Sequence, residues 1–275
     1  MTTKCYRFEK ISASCRGLYD NIADCTFVLI MENTPRETQI RNLVSRYPMT
    51  RNTFFQFNRG WRKCDKGSGV KDTADDLSHA LNNVFQVALS NGMNSIIVLE
   101  DDCEFPGGKI ADPNVVRSIT EYIQVNEPSV YSFGSPAFVT DTFSLILRDN
   151  VKTPIMGATH CMYYSRKYME RYMKRHEAGL VDGTDCEFVP CGDCHVRVSP
   201  VATQKFPDTE NLANWFKNCP EFVRPVFVGV YKVIKRSTGA DKDASKMGRI
   251  NITLHVLTLS IMCLIVYLVV KHARK

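Results

Sequence analysis

The chain has 275 residues, of which 44% are hydrophobic and 23% charged, with a formal charge of +6. A chain of this size can bury a full α/β core, and its composition excludes a disordered or low-complexity polymer. Lys and Arg are spread thinly rather than clustered, so no nucleic-acid footprint is expected. The eleven cysteines are irregularly spaced. In a chain this long they read mainly as buried or free thiols of a reducing compartment.

Residues 1–24 are polar and mixed and read as a lead-in without the apolar core of a signal peptide. A core domain is expected over residues 25–235. It opens on Cys25-Thr26-Phe27-Val28-Leu29-Ile30-Met31, an apolar run that predicts a buried strand. Thr34, Pro35 and Glu37 then predict a capping box, opening a helix with Ile40, Leu43 and Val44 on one face. Arg36 and Arg41 fall where they can face a diphosphate, or serve as solvated helix charges. Thr53 to Phe57 predicts a second strand, and Asn58 to Val70 a basic, glycine-containing loop that includes Trp61. That loop reads as a flexible wall of a site. Asp72 to Gly92 predicts a helix with Leu77, Ala80, Leu81, Val84 and Ala88 inward, carrying Ser78 and His79 in its first half.

The next stretch, Ser95-Ile96-Ile97-Val98-Leu99, predicts a buried strand running straight into Glu100-Asp101-Asp102. Ligands of open α/β sheets bind at that edge. Two carboxylates about 4 Å apart repel by about 4 kcal/mol at an effective dielectric near 20. A hard divalent cation with oxygen ligands offsets such repulsion. A solvated acidic turn is the alternative reading.

Further on, Pro113 to Val125 predicts a helix and Val130 to Gly134 a strand. Asp141 to Arg148 predicts a strand or hairpin arm. Gly157 to Ser165 predicts a strand leading into a helix from Arg166 to His176 built on Tyr168, Tyr172 and Met173. Asp182-Gly183-Thr184-Asp185 reads as an acidic turn, and Pro200 to Gln204 as the segment that closes the core. Cys186, Cys191, Cys194 and His195 suit a thiol-rich loop, with zinc or a disulfide as alternatives. Residues 236–249 read as a linker. From Ile250 to Val270 the chain is apolar enough to predict a membrane-spanning helix, followed by a basic tail over residues 271–275. The expected arrangement is a single-pass C-terminal anchor with a cytosolic domain.

Several of these pieces follow one another in a recognisable order. They are Leu77-Ser78-His79-Ala80-Leu81, Val98-Leu99-Glu100-Asp101-Asp102, Tyr131-Ser132-Phe133-Gly134, Gly157 to Lys167, an aspartate turn, and Val201-Ala202-Thr203-Gln204. The series resembles family 25 glycosyltransferases, the lipooligosaccharide and procollagen galactosyltransferase group, from about Cys25 to Pro207. The resemblance implies an α/β fold of the GT-A type, a mixed sheet flanked by helices that binds a nucleotide-sugar. It also implies transfer of a hexose from a UDP-hexose or similar donor to a hydroxyl of a glycan, lipid or protein, with Mn²⁺ or Mg²⁺ as cofactor. Asp102 is then the first metal contact, with His160 as a further ligand or else a core histidine. Glu100 and Asp101 contact the metal through water or the donor ribose. Arg36, Arg41, Ser78 and His79 join them on the donor side. Asp182, or else Asp185, is the expected general base. A catalytically inactive, membrane-anchored relative is the alternative.

Overall fold

The computed structural model describes residues 2–67, 69–135, 137–140, 147–157, 160–180 and 193–204, with isolated positions such as 144 and a few beyond 204. Its strands in chain order begin with β1 (Thr2–Thr3), β2 (Tyr6–Ser12), β3 (Cys25–Met31), β4 (Asn52–Asn58), β5 (Ser95–Glu100) and β6 (Cys103–Glu104). They continue with β7 (Val130–Ser132), β8 (Ala137–Val139), β9 (Asn150–Thr153), β10 (Ile155–Gly157), β11 (Cys161–Ser165), β12 (Cys194–Arg197) and β13 (Thr203–Gln204). Among the described residues the full α-helices are α1 (Glu37–Arg46), α2 (Thr73–Ser90), α3 (Pro113–Asn126) and α4 (Arg166–Glu177). Nine strands form one mixed sheet in the order β1-β2-β4-β3-β5-β11-β7-β12-β9. The result is the expected mixed sheet flanked by helices.

The central strands are buried on both faces, which is why they read as continuous apolar runs. Along β5, Ile96 and Val98 enter one core cluster while Ile97 and Leu99 enter the other. On the first face α2 packs Ala80, Leu81, Val84 and Phe85 against Tyr168, Met169 and Tyr172 of α4. The Phe85 ring meets Tyr164 and Tyr172 edge-on at 5.0 and 5.1 Å between centroids. On the second face lie Ile40 and Val44 of α1 with Ile119 and Ile123 of α3.

Topology fixes where a ligand can sit. β3, β4 and β5 are mutually parallel, with β3 between the other two. The β3–α1–β4 crossover leaves β3 in one direction and β4–α2–β5 returns past it to the other side. Crossovers of one hand moving in opposite directions put α1 and α2 on opposite faces. A crevice opens where the order reverses, at the carboxyl ends of β3 and β5.

Three expectations change. Residues expected as a lead-in supply β1 and β2, and β2 pairs antiparallel with β4 from Tyr6↔Asn58 to Ser12↔Asn52. α1 begins at Glu37 with Arg36 as its cap, while Thr34 Oγ1 accepts from Arg36 N at 3.3 Å just outside the helix. The cysteines are not all thiols: Cys5 and Cys64 form a disulfide, and Cys194 is disulfide-bonded to a partner outside the described residues. A disulfide spanning a sequence separation of 59 residues cannot be read from spacing. The arm expected over residues 141–148 falls mostly outside the described residues. So does the apolar segment 250–270, Thr253 apart. Among the described residues no helix is long and apolar enough to cross a membrane.

Candidate active site

A cleft of about 680 Å³ opens at the carboxyl ends of β3, β4 and β5. One wall is the segment after β3, from Met31 to Arg36. A second is Glu100, Asp101 and Asp102 at the end of β5, and a third is the turn from Asn58 to Lys63 after β4. Asp76 and Leu77 of α2 complete it.

The acidic wall is partly neutralised from within the chain. Arg36 Nη1 donates to Asp101 Oδ1 at 3.1 Å and lies 4.0 Å from Asp102 Oδ2. Asp102 is 4% exposed, so the pair of carboxylates is held largely away from water. Burial raises the Asp101 carboxyl above its ordinary range; Arg36 opposes the rise and the charge of Asp102 adds to it. The turn is braced behind, where β6 pairs with β13 at Thr203↔Glu104 and Gln204↔Cys103. That brace needs Gly134. A Cβ there would lie 2.1 Å from the Ala202 carbonyl oxygen.

His160 belongs to the same brace. Its ring is buried, and Nε2 donates to the Ala202 carbonyl at 3.3 Å. Burial pushes its pKa down to about 4, with backbone hydrogen bonding opposing. The ring is therefore neutral and committed to the backbone, the arrangement of a core histidine. Among the described residues no set of three or more His, Cys, Asp or Glu side chains converges as a metal centre.

The remaining sequence-derived residues scatter. Arg41 lies outside the cleft lining: Nη1 and Nη2 clasp Glu9 at 2.9 and 2.8 Å, and Nε holds Glu37 at 2.9 Å. Ser78 is buried and turns its hydroxyl back to the Ala74 carbonyl at 3.0 Å. His79 is hydrogen-bonded through Nδ1 to Tyr6 Oη at 2.6 Å and meets the His176 ring edge-on. The Ser78 hydroxyl thus bonds within α2, and His79 ties that helix to β2 and α4; the α2 side chains that reach the cleft are Thr73, Asp76 and Leu77. Asp182 and Asp185 lie outside the described residues, as do Cys186 and Cys191. In the zinc alternative Cys194 is taken by its disulfide, while His195 is bonded to Tyr122 Oη at 2.7 Å and Asp193 Oδ1 at 3.2 Å.

What the sequence did not reveal is the polar network under the third wall. The covered Lys66 ammonium contacts both Asp76 and the Asn58 side-chain oxygen. Asp76 Oδ2 also accepts from Trp61 N at 3.2 Å and Asn58 Nδ2 at 3.3 Å. Asp76 looks like an ordinary solvated charge early in a helix. Only its one-turn distance from the inward-facing Ala80 hints at burial.

No protein-family model and no curated protein matches this chain. Among solved structures it is similar to a glycosyltransferase involved in the glycosylation of the major capsid of PBCV-1. The identity is 11%, the match covers 67% of this chain and 96% of that one, and the TM-score is 0.41.

Proposed function

We propose that the protein is a metal-dependent glycosyltransferase that moves a hexose from a nucleotide-sugar to an acceptor hydroxyl. The observation that carries this reading is the Glu100-Asp101-Asp102 end of β5, set in a cleft whose facing wall is aromatic and cationic. Such a cleft offers opposite partners to a nucleoside diphosphate and to the cation that accompanies it.

The donor atoms present suit Mn²⁺ or Mg²⁺. Asp101 and Asp102 converge on one guanidinium, so the chain itself already seats a positive charge between them. Both ions are satisfied by few carboxylates, with phosphate and water completing the shell. Asp102 and Asp101 would hold the ion, and when bound it neutralises charge developing on the leaving diphosphate. Within the chain, Arg36 is the counter-charge: it compensates the carboxylates in the free protein and is long enough to turn toward a phosphate oxygen. Glu100, one residue before, borders the same cleft and suits a ribose hydroxyl. The expected base, Asp182 or Asp185, would take the acceptor proton.

The acceptor is a glycan, lipid or protein hydroxyl, and UDP-hexose is the proposed donor. We further propose that residues 250–270 tether the domain to a membrane. The disulfides favour an oxidising compartment over the cytosol for that domain.

The experiment is donor turnover with Mn²⁺ across UDP-, GDP- and CMP-sugars, wild type against Asp102→Asn. The reading expects Mn²⁺-dependent turnover that falls by about 100-fold or more in the variant, the usual scale for losing a charge-stabilising group. Equal turnover in both proteins sinks the metal assignment. A second reading, a binding protein without catalysis, is favoured by the Arg36 contact with both carboxylates, which already supplies their counter-charge. Nucleotide binding without turnover of any sugar would select it.

A further inference from the structure

The turn from Gly60 to Lys63 has a construction that the carboxylate wall does not explain. Trp61 is half-buried and lines the cleft, and the Arg62 guanidinium carbon lies 5.1 Å from its ring centroid. Arg59, Arg62 and Lys63 line the same wall. Exposed cations on a loop are ordinary, but this loop is pinned at both ends. At the cleft end, Asp76 accepts from Trp61 N, and Asn58 Oδ1 accepts from Gly60 N at 2.9 Å. Gly60 has a φ of +75°, the left-handed backbone the tight turn requires. At the far end, Lys63 N and Cys64 N both donate to the Gly60 carbonyl, at 3.1 and 3.0 Å. Cys64 is then bonded to Cys5, and Arg59 N donates to the Cys5 carbonyl at 3.2 Å. A loop left to solvent does not need a disulfide, a covered ammonium and a buried carboxylate to hold it.

We propose that this turn is a platform for the nucleobase half of the ligand, with Trp61 as the stacking surface, and that the Cys5–Cys64 disulfide is its positioning element. The proposal rests on the nucleotide-sugar reading above and adds to it the residues that meet the base. An aromatic face beside a guanidinium accepts a flat heterocycle through stacking, while the adjacent cations face the phosphates. Fixing the platform before the ligand arrives removes an ordering cost from binding. The affinity for a nucleoside diphosphate is thereby tied to the oxidation state of one disulfide.

The test uses the full chain with Mn²⁺ and three probes: UDP, ADP and inorganic pyrophosphate. Trp61→Ala should weaken both nucleotides by about tenfold and leave pyrophosphate unchanged, with Trp61→Phe close to wild type. The chain has two tryptophans. In a Trp215→Phe background, with Trp61 intact, UDP should quench the emission and pyrophosphate should not. Nucleotide binding that is insensitive to Trp61→Ala, or that leaves the emission unchanged, overturns the platform while leaving the active-site reading in place. Wild-type protein that binds none of the three probes overturns both.

For the disulfide, dithiothreitol supplies the two electrons and two protons that return Cys5 and Cys64 to thiols. The rate is followed by alkylation of those two residues and mass spectrometry. Saturating UDP should slow reduction at this pair, and Cys5→Ser/Cys64→Ser should weaken UDP by about threefold or more. Identical reduction rates with and without UDP overturn the positioning role.

Discussion

Arg36, the residue that caps α1, reaches Asp101 across 3.1 Å and closes the gap between the end of β3 and the end of β5. The guanidinium is partly exposed, so the pair stabilises the fold by about 1 kcal/mol or less. Arg36→Gln should lower the melting temperature of the free protein by a few degrees. Added Mn²⁺ should restore more stability to the variant than it adds to wild type, because the ion no longer competes with the guanidinium. Thermal unfolding with and without Mn²⁺ decides it. A metal-induced shift that is smaller in the variant would show that Arg36 and the ion do not share the carboxylates.

Asp101 gives a pH dependence of definite sign. Its pKa is raised in the folded chain, chiefly by burial. Its own contribution to stability is therefore full below the unfolded value near 4, and is lost as pH rises through the raised folded value. Cation binding runs the other way, since the ion needs the deprotonated carboxylate. Mn²⁺ affinity should fall on mild acidification, at a pH above that expected of an ordinary carboxylate. Calorimetric titrations across that range should show a flatter profile for Asp101→Asn, with weaker binding throughout.

His160 supplies the opposite stability slope. Its pKa of about 4 lies below the unfolded value near 6.5, so the unfolded chain binds more protons between the two. The stabilisation is complete above pH 6.5 and is lost as pH falls toward 4, on the order of 3 kcal/mol in all. His160→Gln should be less stable at neutral pH by about 1 kcal/mol, and should lose that acid sensitivity. Urea titrations at pH 7 and pH 5 provide the comparison. An unchanged pH slope in the variant would assign the acid sensitivity elsewhere.

Two glycines beside the acidic turn separate a packing requirement from a backbone one. At Gly134 an added Cβ meets the Ala202 carbonyl oxygen at 2.1 Å and Pro200 Cβ at 2.8 Å. Gly134→Ala should cost about 3 kcal/mol or more, and displace β13 from β6 behind Asp102. At Gly107 the space is open and the constraint is a φ of +60°. Gly107→Ala should cost about 1–2 kcal/mol, with donor turnover unaffected. Chemical unfolding of the two variants, paired with turnover, checks the order.

Lys66 and Asp76 form an ion pair whose side chains are 0% and 6% exposed. Removing one partner strands the other, so Asp76→Leu alone should cost about 3–5 kcal/mol. Lys66→Met/Asp76→Leu should recover much of that loss, because an apolar pair leaves no buried charge behind. A double-mutant cycle measures the recovery. Additive losses would show that the pair acts through separate contacts.

The central strands and three of the longer helices were legible because hydrophobic burial leaves a periodic trace. The run at Cys25–Met31 is interrupted only by the buried Thr26, Ser95–Glu100 is apolar between its two end residues, and the Asp112 and Asp72 caps mark α3 and α2. β2 left no such trace. Its sequence, Tyr6-Arg7-Phe8-Glu9-Lys10-Ile11-Ser12, lies near the sheet edge with much of its surface exposed. The acidic turn was visible as three carboxylates in succession; that Arg36 reaches it was not, since the sequence placed Arg36 only where it could face a diphosphate or solvent. The third wall was not visible. Lys66, Asp76 and Asn58 are polar residues held together by long-range contacts, and side-chain pairing across such separations has no local signature. Arg41, Ser78 and His79 show the converse. Each is a polar residue with a local or structural partner that sequence could not distinguish from a ligand contact.

The Cys5–Cys64 bond also decides where this protein can be cut. Sequence pattern alone would begin the folded unit at Cys25. A polypeptide begun there would turn β4 into a bare sheet edge, with Phe54 and Gln56 no longer paired across to Lys10 and Phe8. It would also strand Cys64 as a lone thiol, and release the Trp61 turn from its anchor. The first dozen residues are therefore a working part of the cleft, although none of them lines it. A shortened protein that folds and yet binds nucleotide poorly would be the expected result of trimming them.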